Sequence, residues 1–147
     1  MSRTLLLLSI AILLFSCGRR LEDRLIGDWK LDESYRKGLF SRDHFQTGYE
    51  EGRFTFFESG SAAYVSNTDT LSGYWKSDFY SRPQYDAADD DYDRKILKRL
   101  EIYLADFNRN QIIHWRFDDF DFKDGRRRIK AVEFSLGRDR YYEFIKP

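Results

Sequence analysis

Apolar and polar residues alternate along most of this chain with a period of two, and turn residues cut the alternation into short runs. Successive side chains on a β-strand point to opposite faces, so this pattern predicts half-buried strands. In the first run Leu25, Gly27, Trp29 and Leu31 share one face, and Ile26, Asp28 and Lys30 the other. Asp32 to Tyr49 then mixes charge with Gly38, Leu39, Phe40, Phe45 and Gly48, which predicts a loop able to lid one end of the fold. Glu50 to Glu58 puts Phe54 and Phe56 on one face, and Ser59-Gly60 turns it into a strand over Ser61 to Ser66. After Asn67-Thr68-Asp69 comes Leu71 to Ser77, carrying Gly73-Tyr74-Trp75. Asp78 to Arg94, with Pro83 and five aspartates from Asp86 to Asp93, reads as the longest polar loop.

The second half continues the rhythm. Ile96 to Ala105 sets Ile96, Leu100, Ile102 and Leu104 inward, and Gln111 to Phe117 does the same with Ile113, Trp115 and Phe117. Phe120 and Phe122 resume out of step with Phe117, so Asp118-Asp119 predicts a bulge or tight turn. Lys123-Asp124-Gly125 is a hairpin turn into Arg127 to Leu136, with Val132, Phe134 and Leu136 as its buried set. Gly137-Arg138 leads to a last strand, Asp139 to Lys146, holding Tyr142 and Phe144. No stretch carries helical periodicity. Eight or nine short strands joined mostly by hairpin turns predict an all-β fold, an up-and-down antiparallel β-barrel that leaves no exposed sheet edge.

Composition strengthens that reading. Aromatic residues make up 18% of the chain, and such side chains suit pleated, half-buried surfaces. Charged residues at 34% exclude a polytopic membrane protein, while hydrophobic ones at 41% argue against wholesale disorder. The formal net charge is zero, so no global field attracts nucleic acid. One cysteine excludes an internal disulfide and a Cys-rich zinc site.

That cysteine ends a different kind of segment. Arg3 precedes the apolar run Leu5 to Phe15, and Ser16-Cys17-Gly18 closes it with small residues. The run is too short for the ~20 residues of a membrane-spanning helix and has the layout of a secretory signal peptide. Leu14-Phe15-Ser16-Cys17 resembles the bacterial lipobox, which implies cleavage before Cys17 and acylation of its thiol with chains of the palmitate kind. Residues 1–16 would then be signal peptide, 17–24 a lipidated cysteine with a short tether, and 25–147 the barrel. Cleavage removes one basic side chain, Arg3, and no acidic one, so the exported chain carries a net charge of −1. Gly18 is not the aspartate that holds many such lipoproteins at the inner membrane. The resemblance therefore implies the outer membrane, facing the periplasm.

Gly27-Asp28-Trp29 on a first strand after a leader resembles the lipocalin signature. The runs Phe54 to Ser61, Leu71 to Trp75 and Tyr142 to Lys146 resemble the short lipocalin-like domains of Bacteroidetes lipoproteins. In that family an arginine on or near the last strand stacks over the motif tryptophan. Arg138 and Arg140 are the positions that match, Arg140 the preferred one, closing the barrel end with Gly27 and Trp29. The chain lacks the family's middle Thr-Asp-Tyr motif. The resemblance implies a monomer holding a small hydrophobic ligand inside the barrel. Trp29, Phe54, Phe56, Trp75, Leu100, Ile102, Trp115 and Phe134 would line that interior. The same residues equally suit a solid core, which would make the domain a non-carrier interaction module of the cell envelope.

The remaining candidates carry less. Asp89, Asp91 and Asp93 begin like a Ca²⁺ loop, but Arg94 stands where the turning glycine belongs and Leu100 where the closing glutamate does. Arg126-Arg127-Arg128 reads as a solvated basic run, or one touching lipid phosphates near the tether. His44 and His114 have no acid–base partners in the pattern. No nucleophile elbow, phosphate loop or metalloprotease motif occurs, so the chain reads as neither an enzyme nor a metal- or cofactor-dependent protein.

Overall fold

A computed structural model describes residues 21–86, 91–107 and 109–147. A one-turn helix α1 (Leu21–Leu25) leads into β1 (Gly27–Lys37) and the short β2 (Arg42–His44). β3 (Arg53–Phe56), β4 (Ser61–Val65), β5 (Thr70–Asp86), β6 (Asp91–Asp106) and β7 (Gln111–Phe117) follow as a meander. Beyond them come β8 (Asp119–Lys123), a 3-10 turn over Asp124–Arg126, β9 (Arg128–Glu133) and β10 (Arg140–Ile145). The fold is all-β, one large antiparallel sheet in the order β7-β6-β5-β4-β3-β1-β10-β9-β8, with β2 added beside β1. No ladder joins β7 to β8, so the sheet is open at that point. Chain runs directly from one to the other through Asp118, whose N–H donates to the Val132 carbonyl at 2.7 Å.

The first strand is longer than its pattern suggests. Trp29 and Leu31 face the core, then a register shift between Leu31 and Glu33 against β10 resets the phase. Ser34 now faces in and Tyr35 out, so the predicted loop over 32–49 begins as six more residues of strand. Tyr35 is nevertheless buried, because β2 folds beside it and Tyr141 stacks on its ring at 5.3 Å. The two Gly-x-Trp motifs need their glycines for different reasons. Gly27 has φ +115° where α1 gives way to β1 and nothing nearby limits a side chain. A β-carbon on Gly73 would instead collide with the Tyr103 carbonyl oxygen of β6.

Three phase expectations change. On β9 the buried residues are Ile129 and Ala131, paired with Phe144 and Tyr142, while Val132 is half-buried and Leu136 fully exposed. A one-residue slip inverts a whole strand face, and here small Ala131 concealed the true phase. Asp78–Asp86 and Asp91–Arg94 are strand, not loop: β5 and β6 pair without a break from Ser72–Ala105 out to Asp86–Asp91. Pro83 sits in β5 harmlessly, since β4 pairs with β5 only through Tyr74 and leaves that edge free. Ile96 lies on this projecting arm and is 70% exposed, whereas Leu97 beside it is buried.

Candidate functional site

Seven of the eight residues predicted to line an interior pack against one another in a single core cluster. Phe54 lies 4.8 Å from the Tyr64 ring, 5.5 Å from Trp115 and 5.8 Å from Phe144, centroid to centroid. Phe56 packs on Trp75 at 5.5 Å, and the Trp75 indole N–H donates to the Phe57 carbonyl at 3.0 Å. Trp29, Leu100 and Ile102 are fully buried in the same cluster, with Trp115 partly buried against it. Phe45 and Tyr49, from the segment between β2 and β3, close over it. Their rings meet Tyr142, Tyr64 and Trp115 edge-on at 5.8, 5.3 and 5.7 Å. Glu50 fixes that segment by accepting from the Thr47 N–H and hydroxyl and the Gly48 N–H. Burial raises the Glu50 carboxyl, but these hydrogen bonds outweigh it and hold the group below its ordinary value.

Two placements correct the sequence reading. Arg140 does not stack on Trp29; it stands opposite Arg36 and approaches Glu133 at 3.6 Å. Strand β10 runs antiparallel to β1, so the end of the chain, not the start of β10, lies beside Trp29. Lys146 is the cation there, its Nζ 5.0 Å from the ring centroid, while the indole N–H donates to Leu25 at 2.7 Å. Arg138 lies in the turn before β10, also at the far end of that strand. The second correction is Phe134, which is outside the core. It is half-buried beyond the end of β9, under the Arg82 guanidinium at 4.8 Å. Cys17 and the side chains of Asp86–Asp93 lie outside the described residues. Among the described residues no three His, Cys, Asp or Glu side chains gather as a metal site requires. His114 is exposed and meets Glu101 at 3.0 Å and the Tyr103 ring edge-on at 5.6 Å.

Two features were not legible in the sequence. One is an ionic cluster on the outer face of β1, β10 and β9. The Tyr35 hydroxyl donates to Glu143 at 3.0 Å, and Arg128 reaches Glu143, Asp32 and Asp124 at 2.9, 3.1 and 3.2 Å. Burial, then Glu143, pushes the Tyr35 phenol up to about 12. Burial raises the Glu143 carboxyl, but Tyr35, Arg128 and Lys130 hold it below its ordinary value. These bonds tie β1, β10 and β9 together.

The other is the projecting arm of the β5–β6 hairpin. One face carries Phe79 and Ile96, 61% and 70% exposed. The opposite face folds back on the β7–β8 corner: Tyr80 donates to the Asp118 carbonyl at 2.7 Å and the Lys98 N–H to Asp119 at 3.0 Å. Between this arm and Phe134 is a cleft of about 320 Å³, lined by Arg82, Pro83, Gln84, Lys95, Leu97 and Phe134. Nearby turns add apolar tips, Leu39 and Phe40 after β1 and Leu136 before β10, at 96%, 102% and 111% exposure. The Arg36–Arg140 pairing brings those turns to one end of the sheet. No family model matches the chain, and neither does any curated protein or solved structure.

Proposed function

We propose that this is a lipid-anchored envelope protein with a lipocalin-like barrel, filled by its own side chains and acting through its outer surface. In this reading the signal peptide over 1–16 is removed and acylated Cys17 holds the domain at the outer membrane, facing the periplasm. The barrel reading is supported by the bonds bridging the β7–β8 gap. Tyr80 to Asp118, the Lys98 N–H to Asp119 and the Lys98 ammonium to Asp121 at 3.5 Å stand in for a backbone ladder. Strand β1, shared between β3 and β10, turns the other corner.

The observation that carries the function is the lidded aromatic core. Phe54, Trp115, Tyr142 and Phe144 occupy the volume a carried ligand needs, with Phe45 and Tyr49 over them. Large apolar side chains gathered on an exposed surface mark interaction sites more than scattered single ones do. Leu39, Phe40, Leu136, Phe79 and Ile96 are therefore the contact residues for an envelope partner. The test is N-phenyl-1-naphthylamine, a neutral apolar fluorophore, titrated into residues 21–147. The expected result is no saturable binding. Saturable binding abolished by Phe56→Trp would restore the ligand-carrier reading. For the anchor, Cys17→Ala should move the protein from the membrane to the soluble fraction; metabolic palmitate labelling that survives the substitution would refute it.

A further inference from the structure

We infer that the cleft between the β5–β6 arm and Phe134 binds a small amphipathic organic anion, its acid group held between Arg82 and Lys95. This goes beyond the surface-recognition reading and does not depend on it.

The reason lies in the rungs of the hairpin. On the face towards Phe134 the directly opposed pairs are Lys76–Glu101, Asp78–Arg99, Tyr80–Leu97 and Arg82–Lys95. The first two join opposite charges at 2.9 and 3.7 Å. The last sets two cations opposite one another, with β-carbons about 5 Å apart, an arrangement that destabilises a strand pair. Among the described residues neither Arg82 nor Lys95 has an acidic partner. Arg36–Arg140 is also a rung of like charge, but there Asp43 and Glu133 stand at 3.9 and 3.6 Å. Among the described residues, the cation rung beside the cleft is the one without an acidic partner.

The surroundings define the rest of the ligand. The Arg82 guanidinium lies over the Phe134 ring at 4.8 Å, a contact that positions the group, and among the described residues no acceptor takes its N–H donors. Leu97, 3% exposed, floors the cleft, with Pro83 and the Phe134 ring as apolar wall and the Gln84 amide at the rim. Inorganic phosphate or sulfate would leave that apolar surface uncovered. A carboxylate or sulfonate bearing one ring system fills it, and about 320 Å³ is at the lower end for small-molecule sites.

The test uses the full protein in phosphatidylcholine nanodiscs, titrated by calorimetry with naphthalene-2-sulfonate and, as the neutral control, 2-naphthalenemethanol. The expected result is saturable binding of the sulfonate, weakened as salt rises, and at least about ten-fold weaker binding of the alcohol. Arg82→Gln with Lys95→Gln should weaken the sulfonate by about ten-fold or more, since charged hydrogen bonds are lost. Phe107→Ala, on the exposed turn after β6, should leave it unchanged. Equal affinity for sulfonate and alcohol, or a sulfonate titration unaltered by the double substitution, would overturn the site. Binding of the protein to phosphatidylglycerol vesicles that requires Arg82 and Lys95 would overturn the free acid and give the cleft to a lipid headgroup. Failure of the surface-recognition reading appears instead as saturable binding of the neutral fluorophore.

Discussion

The two faces of this sheet are held by different chemistry. Inside, aromatic rings pack on aromatic rings, from Phe56–Trp75 through Phe54–Trp115 to Phe117–Tyr142, without an ion pair among them. Outside, cross-strand pairs are charged or capped by cations: Lys76–Glu101, Asp78–Arg99, the diagonal Arg128–Glu143, and Arg42 over Tyr35 at 4.5 Å. The difference teaches how the arm arises. Trp75 and Phe79 lie on the same face of β5, four residues apart, yet Trp75 is 5% exposed and Phe79 61%. Past the Ser77–Leu100 rung the inner face has no interior left to face, so its apolar residues become available to something else.

The largest expected effect separates those two settings. Phe54→Ala should lower unfolding stability by about 3–5 kcal/mol, the range for large-to-small changes in a packed core. Phe79→Ala should stay within about 0.5 kcal/mol, as surface substitutions do. Urea denaturation of both variants checks this. A Phe79 effect approaching that of Phe54 would mean the arm is part of the core and break the comparison.

The outer face should show itself through pH. Glu143 is held below its ordinary carboxylate value, so its contribution is present above the unfolded value near 4.5 and lost as pH falls through the folded one. Glu143→Gln should therefore lower stability at pH 7 by about 1–3 kcal/mol and make the acid-side decline shallower than that of the wild type. Tyr35 has the opposite sign. Its folded value is raised from 10.0 to about 12, so its contribution is complete below pH 10 and lost as pH rises through about 12. Tyr35→Phe should flatten part of the alkaline decline, with Tyr142, also pushed to about 12, keeping the rest. Urea midpoints across pH 3–12 read both arms. Unchanged slopes in both variants would reduce the ionic cluster to solvated charge.

How far these faces could be read from the sequence depended on where the strand phase stayed regular. Gln111 to Phe117 alternates cleanly, and Ile113 and Phe117 are buried as the pattern requires. Asp32 to Lys37 is strand as well, but the shift after Leu31 reverses its phase and its charges disguise it. Large Val132 and Phe134 outweighed small Ala131 in the β9 pattern, although the core needs a small residue opposite Tyr142. The lining of the fold was legible in seven of its eight residues, with Phe134 the exception; whether they filled it was not, because that depends on ring-to-ring distances. The Arg82–Lys95 rung was illegible for another reason. The pair lies thirteen positions apart in sequence, and only the hairpin register opposes them.

The smallest effect concerns the cation over Trp29, where the outer chemistry meets the inner. Lys146 lies 5.0 Å from the indole centroid, and a partly exposed contact of this kind contributes about 0.5–1 kcal/mol. Lys146→Met keeps the side chain's apolar stem and removes the charge. In a double-mutant cycle with Trp29→Phe, it should show a coupling of about 0.5–1 kcal/mol. The same cycle with Arg140→Ala should show no coupling beyond about 0.3–0.5 kcal/mol, the additivity limit for independent sites. Arg140 pairs with Glu133 at the other end of β10, so its removal reaches Trp29 through nothing shared. Coupling to Arg140 in place of Lys146 would return the arginine to the position the lipocalin resemblance gave it. It would also require the last strand to pair with β1 in a different register from Lys30–Ile145.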